Sequence, residues 1–147
     1  MKILIDADGS PVRKIVVKVA EMYQVPLVII SNVHHQIDEV YGQTVIVDSG
    51  NDVADHEIVR RLTAGDLVIT QDYGLAALVL GKKGHAMHQD GWLFTNNNID
   101  RLLMQRHMAS KMRRSNKRSP VIKKRTKSQD QDFEKALVDF VCSYRWK

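Results

Sequence analysis

Cysteine is almost missing from this chain of 147 residues, aromatic residues make up only 6% of it, and no apolar run approaches the length of a membrane span. The lone Cys142 excludes an intrachain disulfide and a cysteine-based zinc cluster. Stretches such as VPLVII fall far short of the roughly 20 residues a transmembrane helix needs. Charge also enters at once, with Lys2 and Asp6, so the sequence predicts neither a signal peptide nor a membrane anchor and points to a reducing cytoplasm. No internal repeat is present, which sets aside solenoids and propellers.

Apolar residues at 44% and charged residues at 27% describe an ordinary α/β protein, neither disordered nor fibrous. The length predicts one domain over 1–147, with an α/β core over 1–96 and a helical, basic extension over 97–147. Its formal charge of +5 hides a division. Residues 1–100 carry 8 Lys and Arg against 13 Asp and Glu, whereas residues 101–147 carry 14 against 4. Between 101 and 129 there are 11 basic residues, no acid and no aromatic side chain. Such a segment suits phosphate contacts, insensitive to base sequence and weakened by salt, and it offers nothing for bases to stack on. The bland alternative is a solvated helix face followed by a linker.

Apolar runs and their punctuation predict the elements. Lys2 to Asp6 reads as a strand, and Pro11 suits the first turn of a helix over 12–23 that buries Val12, Ile15, Val16, Val19 and Ala20. Further strands are expected over 25–30 and 44–47, of the uninterrupted apolar kind that is covered on both faces. The segment 32–42, with the adjacent His34 and His35, reads either as one helical turn or as a loop. Turn residues 49–52 precede a helix over 53–62, a strand over 67–70, and an apolar helix over 73–80 that stops at Gly81 to Gly84. Short strands near 86–88 and 92–95 follow, then a helix over 98–114, a polar connector over 115–129 and a helix over 130–144 with Phe133, Leu137, Phe140 and Val141 on one face. The methionines of MHQ and LLMQRHM read as core filler. This alternation predicts a three-layer α/β sandwich on a mostly parallel sheet, with ligands beyond the carboxyl ends of the strands.

Five acids fall on that edge or near it: Asp6 and Asp8 in ILIDADGSP, Asp52 and Asp55 in DSGNDVADHEIV, and Asp72 in LVITQDYGLA. Asp6 and Asp8 are two apart, so in extended chain both address one side. Asp52 and Asp55 are three apart, on one side of a first helical turn, where either can also serve as a cap or complement the helix dipole. Asp8 and Ser10 have a similar alternative in the turn before the first helix. Hard carboxylate oxygens, without cysteine and without an organised histidine triad, select Mg²⁺ or Mn²⁺ over zinc. Such ions hold phosphate oxygens and activate water for in-line displacement, so no side-chain nucleophile is needed. Asp6, Asp8, Asp52, Asp55 and Asp72 are the candidate ligands, with Asp6, Asp55 and Asp72 as catalytic carboxylates. Ser10, Asn32, Asn51, His56, Thr70, Arg113 and Arg114 are candidate substrate contacts. Asp48 is a lesser candidate ligand, Asp66 is expected to close a turn, and Asp90-Gly91 reads as a hairpin turn.

ILIDADGSPV, VDSGNDVADHEIV and GDLVITQDYGLAALVL resemble, in order, the YaiI/YqxD family of uncharacterised bacterial proteins, grouped with PIN-like nuclease domains. The resemblance extends to Asn32, NNNIDRLL, Arg113-Arg114 and RTKSQDQDFEKAL, and so covers nearly the whole chain. It implies a PIN-like fold and Mg²⁺- or Mn²⁺-dependent cleavage of nucleic acid, RNA ahead of DNA, by acids at the positions of Asp6, Asp52 with Asp55, and Asp72. The chain departs from the family pattern at Gly9-Ser10, where Ala-Cys is usual, at Gly74, where Pro is common, and at Arg118-Ser119. Two rivals stand beside the nuclease reading. One is a non-catalytic RNA-binding or regulatory module; the other is a HAD-like phosphohydrolase with Asp6 as nucleophile. No membrane partner is expected, and a homodimer is compatible with the sequence.

Overall fold

Ile3, Leu4 and Ile5 are wholly buried, which requires that their strand be covered on both faces. In a computed structural model describing residues 1–8, 10–32, 41–50, 52–114 and 124–145, that strand, β1 (Ile3–Asp6), lies in the interior of a six-stranded sheet. The other elements are α1 (Arg13–Met22), β2 (Leu27–Asn32), β3 (Gln43–Val47), α2 (Val53–Arg61), β4 (Leu67–Ile69), α3 (Tyr73–Gly81), β5 (His85–Met87), β6 (Leu93–Phe94), α4 (Asn96–Arg114) and α5 (Lys127–Arg145). Their order across the sheet is β3-β2-β1-β4-β5-β6, parallel throughout except for β6, which runs antiparallel to β5. The sheet grows from β1 toward β3 on one side and from β4 toward β6 on the other. That reversal opens a crevice between the carboxyl ends of β1 and β4, where doubly wound sheets bind ligands.

Strand alternation divides the core into two layers. Ile3, Ile5, Ile29, Leu67 and Met87 face α1 and α5, which contribute Val16, Val19 and Ala20 and then Phe133, Leu137 and Val141. Leu4, Val28, Ile30, Val68 and Ala86 face α2, α3 and α4, which contribute Ile58, Leu75, Ala76, Val79, Ile99 and Leu102. Each fully buried aliphatic side chain stabilises the fold by about 2 kcal/mol relative to exposure. This is the expected three-layer α/β sandwich.

Four details differ from the sequence expectation. The segment around β3 is not covered on both faces: β3 is the edge strand, and Ile46 is 62% exposed. Its following helix, α2, must return across the sheet to reach β4, and it packs chiefly on β1 and β2. α5 begins at Lys127 rather than near 130, because Thr126 and Gln129 form a reciprocal cap: the Gln129 N–H donates to Thr126 Oγ1 at 3.2 Å and the Thr126 N–H to Gln129 Oε1 at 2.9 Å. α4 begins at Asn96 by the same device, with Thr95 and Asn98 exchanging bonds of 2.9 and 3.1 Å. Finally, Met104 and Met108 are 61% and 53% exposed and fill no core, although Met87 does. The 19 residues of α4 span about 28 Å, and the buried ones among its described side chains, Ile99 and Leu102, lie in its first two turns.

Among the described residues no helix is long and apolar enough to cross a membrane. His34 and His35 lie outside the described residues.

Candidate active site

The carboxyl ends of β1 and β4, the starts of α2 and α3 and the turn after β5 enclose a cleft of about 320 Å³ at the switch point. Four of the five singled-out aspartates line it: Asp6, Asp52, Asp55 and Asp72. Ser10, Thr70, Gln71 and Gln89 add hydroxyl and amide groups, and among the described residues no Lys, Arg or His lines the cleft.

Each acid is placed by a different local device. Asp6 ends β1, and its Oδ1 accepts the Asp8 N–H at 3.0 Å, which turns the chain away from the sheet. Asp72 caps α3: its Oδ1 accepts the Leu75 N–H at 3.1 Å, while its own N–H donates to Thr70 Oγ1 at 2.9 Å. Thr70 is held in turn by its N–H on the Met87 carbonyl at 3.0 Å. Asp72 is thus both helix cap and cleft wall. Asp52 occupies the cap position of α2, yet its side chain makes no cap hydrogen bond, and its backbone is left-handed at φ 65°. A left-handed non-glycine residue costs about 1 kcal/mol, least for Asp and Asn, and such strain gathers at functional sites. Asp55 stands half-buried in the first turn of α2.

Electrostatics join the four. Burial pushes the Asp55 carboxyl above its ordinary range, and the carboxylates of Asp72, Asp6 and Asp52 push it further, while His56 pulls weakly the other way. Like charges gathered in this way favour the protonated acid.

The other anticipated residues divide. Ser10 and Thr70 line the cleft, Ser10 also accepting the Val12 N–H through Oγ at 3.3 Å. Asp8, Asn32 and His56 do not line it. Asp8 instead ties β1 to β2, its Oδ2 accepting the Asn32 N–H at 2.7 Å. Asn51 and the side chains of Arg113 and Arg114 lie outside the described residues. Asp48 is exposed at the end of β3 and does not line the cleft. Asp90 belongs to the turn after β5, where Arg125 binds it at 2.9 Å. Asp66 sits at the opposite edge of the sheet, 3% exposed, accepting from Lys2 Nζ at 2.6 Å, the Thr63 N–H at 2.8 Å and Thr63 Oγ1 at 2.9 Å. Gln71 and Gln89 were not anticipated. Both follow a strand by two residues on the carboxyl edge, the signal that singled out Asp72.

Among the described residues the cleft wall offers carboxylate, hydroxyl and amide groups, with no sulfur or imidazole. Among the described residues no three His, Cys, Asp or Glu side chains stand close enough to hold one ion directly. That arrangement fits Mg²⁺ and Mn²⁺ of the water-rich kind, for Mg²⁺ keeps several waters and takes only one or two carboxylates.

A family model described as the YaiI/YqxD family of uncharacterised bacterial proteins matches residues 4–143. A UPF0178 protein of Alkaliphilus oremlandii is 47% identical over 141 residues, 96% of this chain and 91% of that protein. UPF0178 proteins of Exiguobacterium sibiricum and Natranaerobius thermophilus are 45% and 43% identical, the latter over 99% of both chains. Among solved structures, a crystal structure of Rae1 (YacP) from Bacillus subtilis superposes with a TM-score of 0.42 at 14% identity, covering 78% of this chain and 83% of that one. At that score the likeness bears on neither fold nor activity.

Proposed function

The chain belongs to the YaiI/YqxD family, and from that premise we propose that it is a PIN-like, Mg²⁺- or Mn²⁺-dependent nuclease acting on RNA or other single-stranded nucleic acid. One observation carries the reading: Asp6, Asp52, Asp55 and Asp72, drawn from three separate chain segments, surround one cleft at the switch point, and three of them raise the proton affinity of the fourth. A cleft that gathers four carboxylates, with no cation lining it among the described residues, favours a ligand that brings positive charge.

Asp6, Asp52, Asp55 and Asp72 are the residues that would hold the cation. When bound, the cation supplies charge neutralisation for the phosphate and a lowered pKa for water. Asp55 is suited to accept and return a proton, since its raised carboxyl titrates nearer neutrality than an ordinary aspartate. Thr70 sets the Asp72 backbone, and Ser10, Gln71 and Gln89 can hydrogen-bond to phosphate or sugar oxygens. The acidic cleft cannot attract a polyanion by itself, which assigns substrate capture to the basic residues beyond it. From Met104 to Lys111 every described side chain of α4 is exposed, Lys111 among them. Arg125 differs from these exposed side chains: its guanidinium is engaged by Asp90 and Asp130.

The test is cleavage of end-labelled single-stranded RNA and DNA with Mn²⁺, Mg²⁺ or EDTA. Metal-dependent cleavage is expected to fall at least about 100-fold in Asp6→Asn while RNA binding persists. Binding without cleavage in the wild-type protein overturns the nuclease reading in favour of a non-catalytic RNA-binding module.

A further inference from the structure

We infer that Arg125 is a positioning residue for the cleft, setting Gln89 through the turn that carries it; the chemical purpose of that placement rests on the nuclease reading above. Gln89 lines the cleft although β5 ends two residues earlier, at Met87. Its place therefore depends on the turn His88–Trp92, and that turn is braced from outside the sheet. Within it, the His88 N–H donates to the Trp92 carbonyl at 2.8 Å, the Gly91 N–H to the His88 carbonyl at 2.9 Å, and the Asp90 N–H to His88 Nδ1 at 3.1 Å.

Arg125 then joins three acceptors across two parts of the chain. Its Nη2 donates to the Gln89 carbonyl and its Nη1 to Asp90 Oδ1 at 2.9 Å, while its Nε donates to Asp130 Oδ1 in the first turn of α5. The side chain is only 17% exposed, unlike a phosphate-binding arginine waiting in solvent. A rigid guanidinium fork can hold three acceptors in fixed directions; a lysine ammonium on a flexible stem cannot. The same turn meets α5 a second time at Gly91, whose φ is 96° and where a Cβ would lie 2.9 Å from the Ala136 Cβ. Helix α5 and Arg125 together fix the loop, and the loop fixes Gln89. Arg125 itself is not among the residues lining the cleft.

Two measurements test this. In metal-free protein, the side-chain amide resonances of Gln89 are expected to shift in Arg125→Lys and Arg125→Ala, while those of Gln71, held between β4 and α3, stay in place. In cleavage assays Arg125→Ala and Gln89→Ala are each expected to lower kcat on the order of 10- to 100-fold with little change in KM, and the double variant to be no worse than either. Arg125→Lys keeps the charge and is expected to fold, yet not to restore kcat. Unchanged Gln89 resonances in both Arg125 variants would overturn the inference, as would losses that multiply in the double variant. Should the wild-type protein cleave nothing, the nuclease reading fails by itself, and the Gln89 resonances alone decide the role of Arg125.

Discussion

Asp66 and Asp55 lie at opposite ends of one mostly parallel sheet, both withdrawn from water, and their surroundings treat them in opposite ways. At the amino edge, burial alone pushes the Asp66 carboxyl up, yet hydrogen bonds from Lys2 and Thr63 outweigh it and hold it below the ordinary range. At the carboxyl edge, burial pushes Asp55 up and its neighbours, themselves carboxylates, push the same way. The first aspartate is part of what holds the fold together. The second is a charge the fold tolerates, and the difference lies in the donors around each acid rather than in depth of burial.

Removing the satisfied acid is expected to have the larger effect on stability. Asp66→Ala leaves the Thr63 N–H and Lys2 without their acceptor and is expected to cost about 3 kcal/mol in urea unfolding near pH 7. Because the folded-state pKa of Asp66 is depressed, its contribution is present above the unfolded value of about 4 and is lost as pH falls through the folded value. The gap between wild type and Asp66→Ala is therefore expected to close in acid. An equal gap at pH 7 and in strong acid would show that the clamp is not electrostatic.

The opposite sign is expected at the cleft, with a smaller size. The folded-state pKa of Asp55 is raised, so its stabilising share is complete only below the unfolded value and is lost as pH rises through the folded one. Asp55→Asn is accordingly expected to be more stable than wild type at pH 7 in EDTA, by less than about 1 kcal/mol, and equal to it below about pH 4. A variant that is less stable than wild type at pH 7 would erase the contrast, making Asp55 another structural acid.

The same contrast explains what could be read in the chain and what could not. Apolar runs and their punctuation located β1, β2, β4 and the five helices to within a few residues, because burial on both faces leaves an unmistakable pattern. The edge position of β3 was hidden, since TVIV looks alike whether or not a helix covers its outer face. Asp6, Asp52, Asp55 and Asp72 were legible from their place after strands and before helices. Asp8 does not line the cleft with them, because the two-residue spacing says nothing about the bend at which it turns to the Asn32 N–H. Gln89 was missed for another reason: an amide carries little chemical signal, and its position is set by Arg125, 36 residues further along the chain.

Whether the cleft carboxylates act together on a cation is settled most directly by titrating Mn²⁺ into wild-type protein, Asp6→Asn and Asp66→Asn, with free ion followed by electron paramagnetic resonance. Wild type and Asp66→Asn are expected to bind Mn²⁺ alike, with binding to Asp6→Asn weakened at least about tenfold. Failure of the wild-type protein to bind Mn²⁺, or equal binding by Asp6→Asn, would contradict the assignment of the cleft as a metal site.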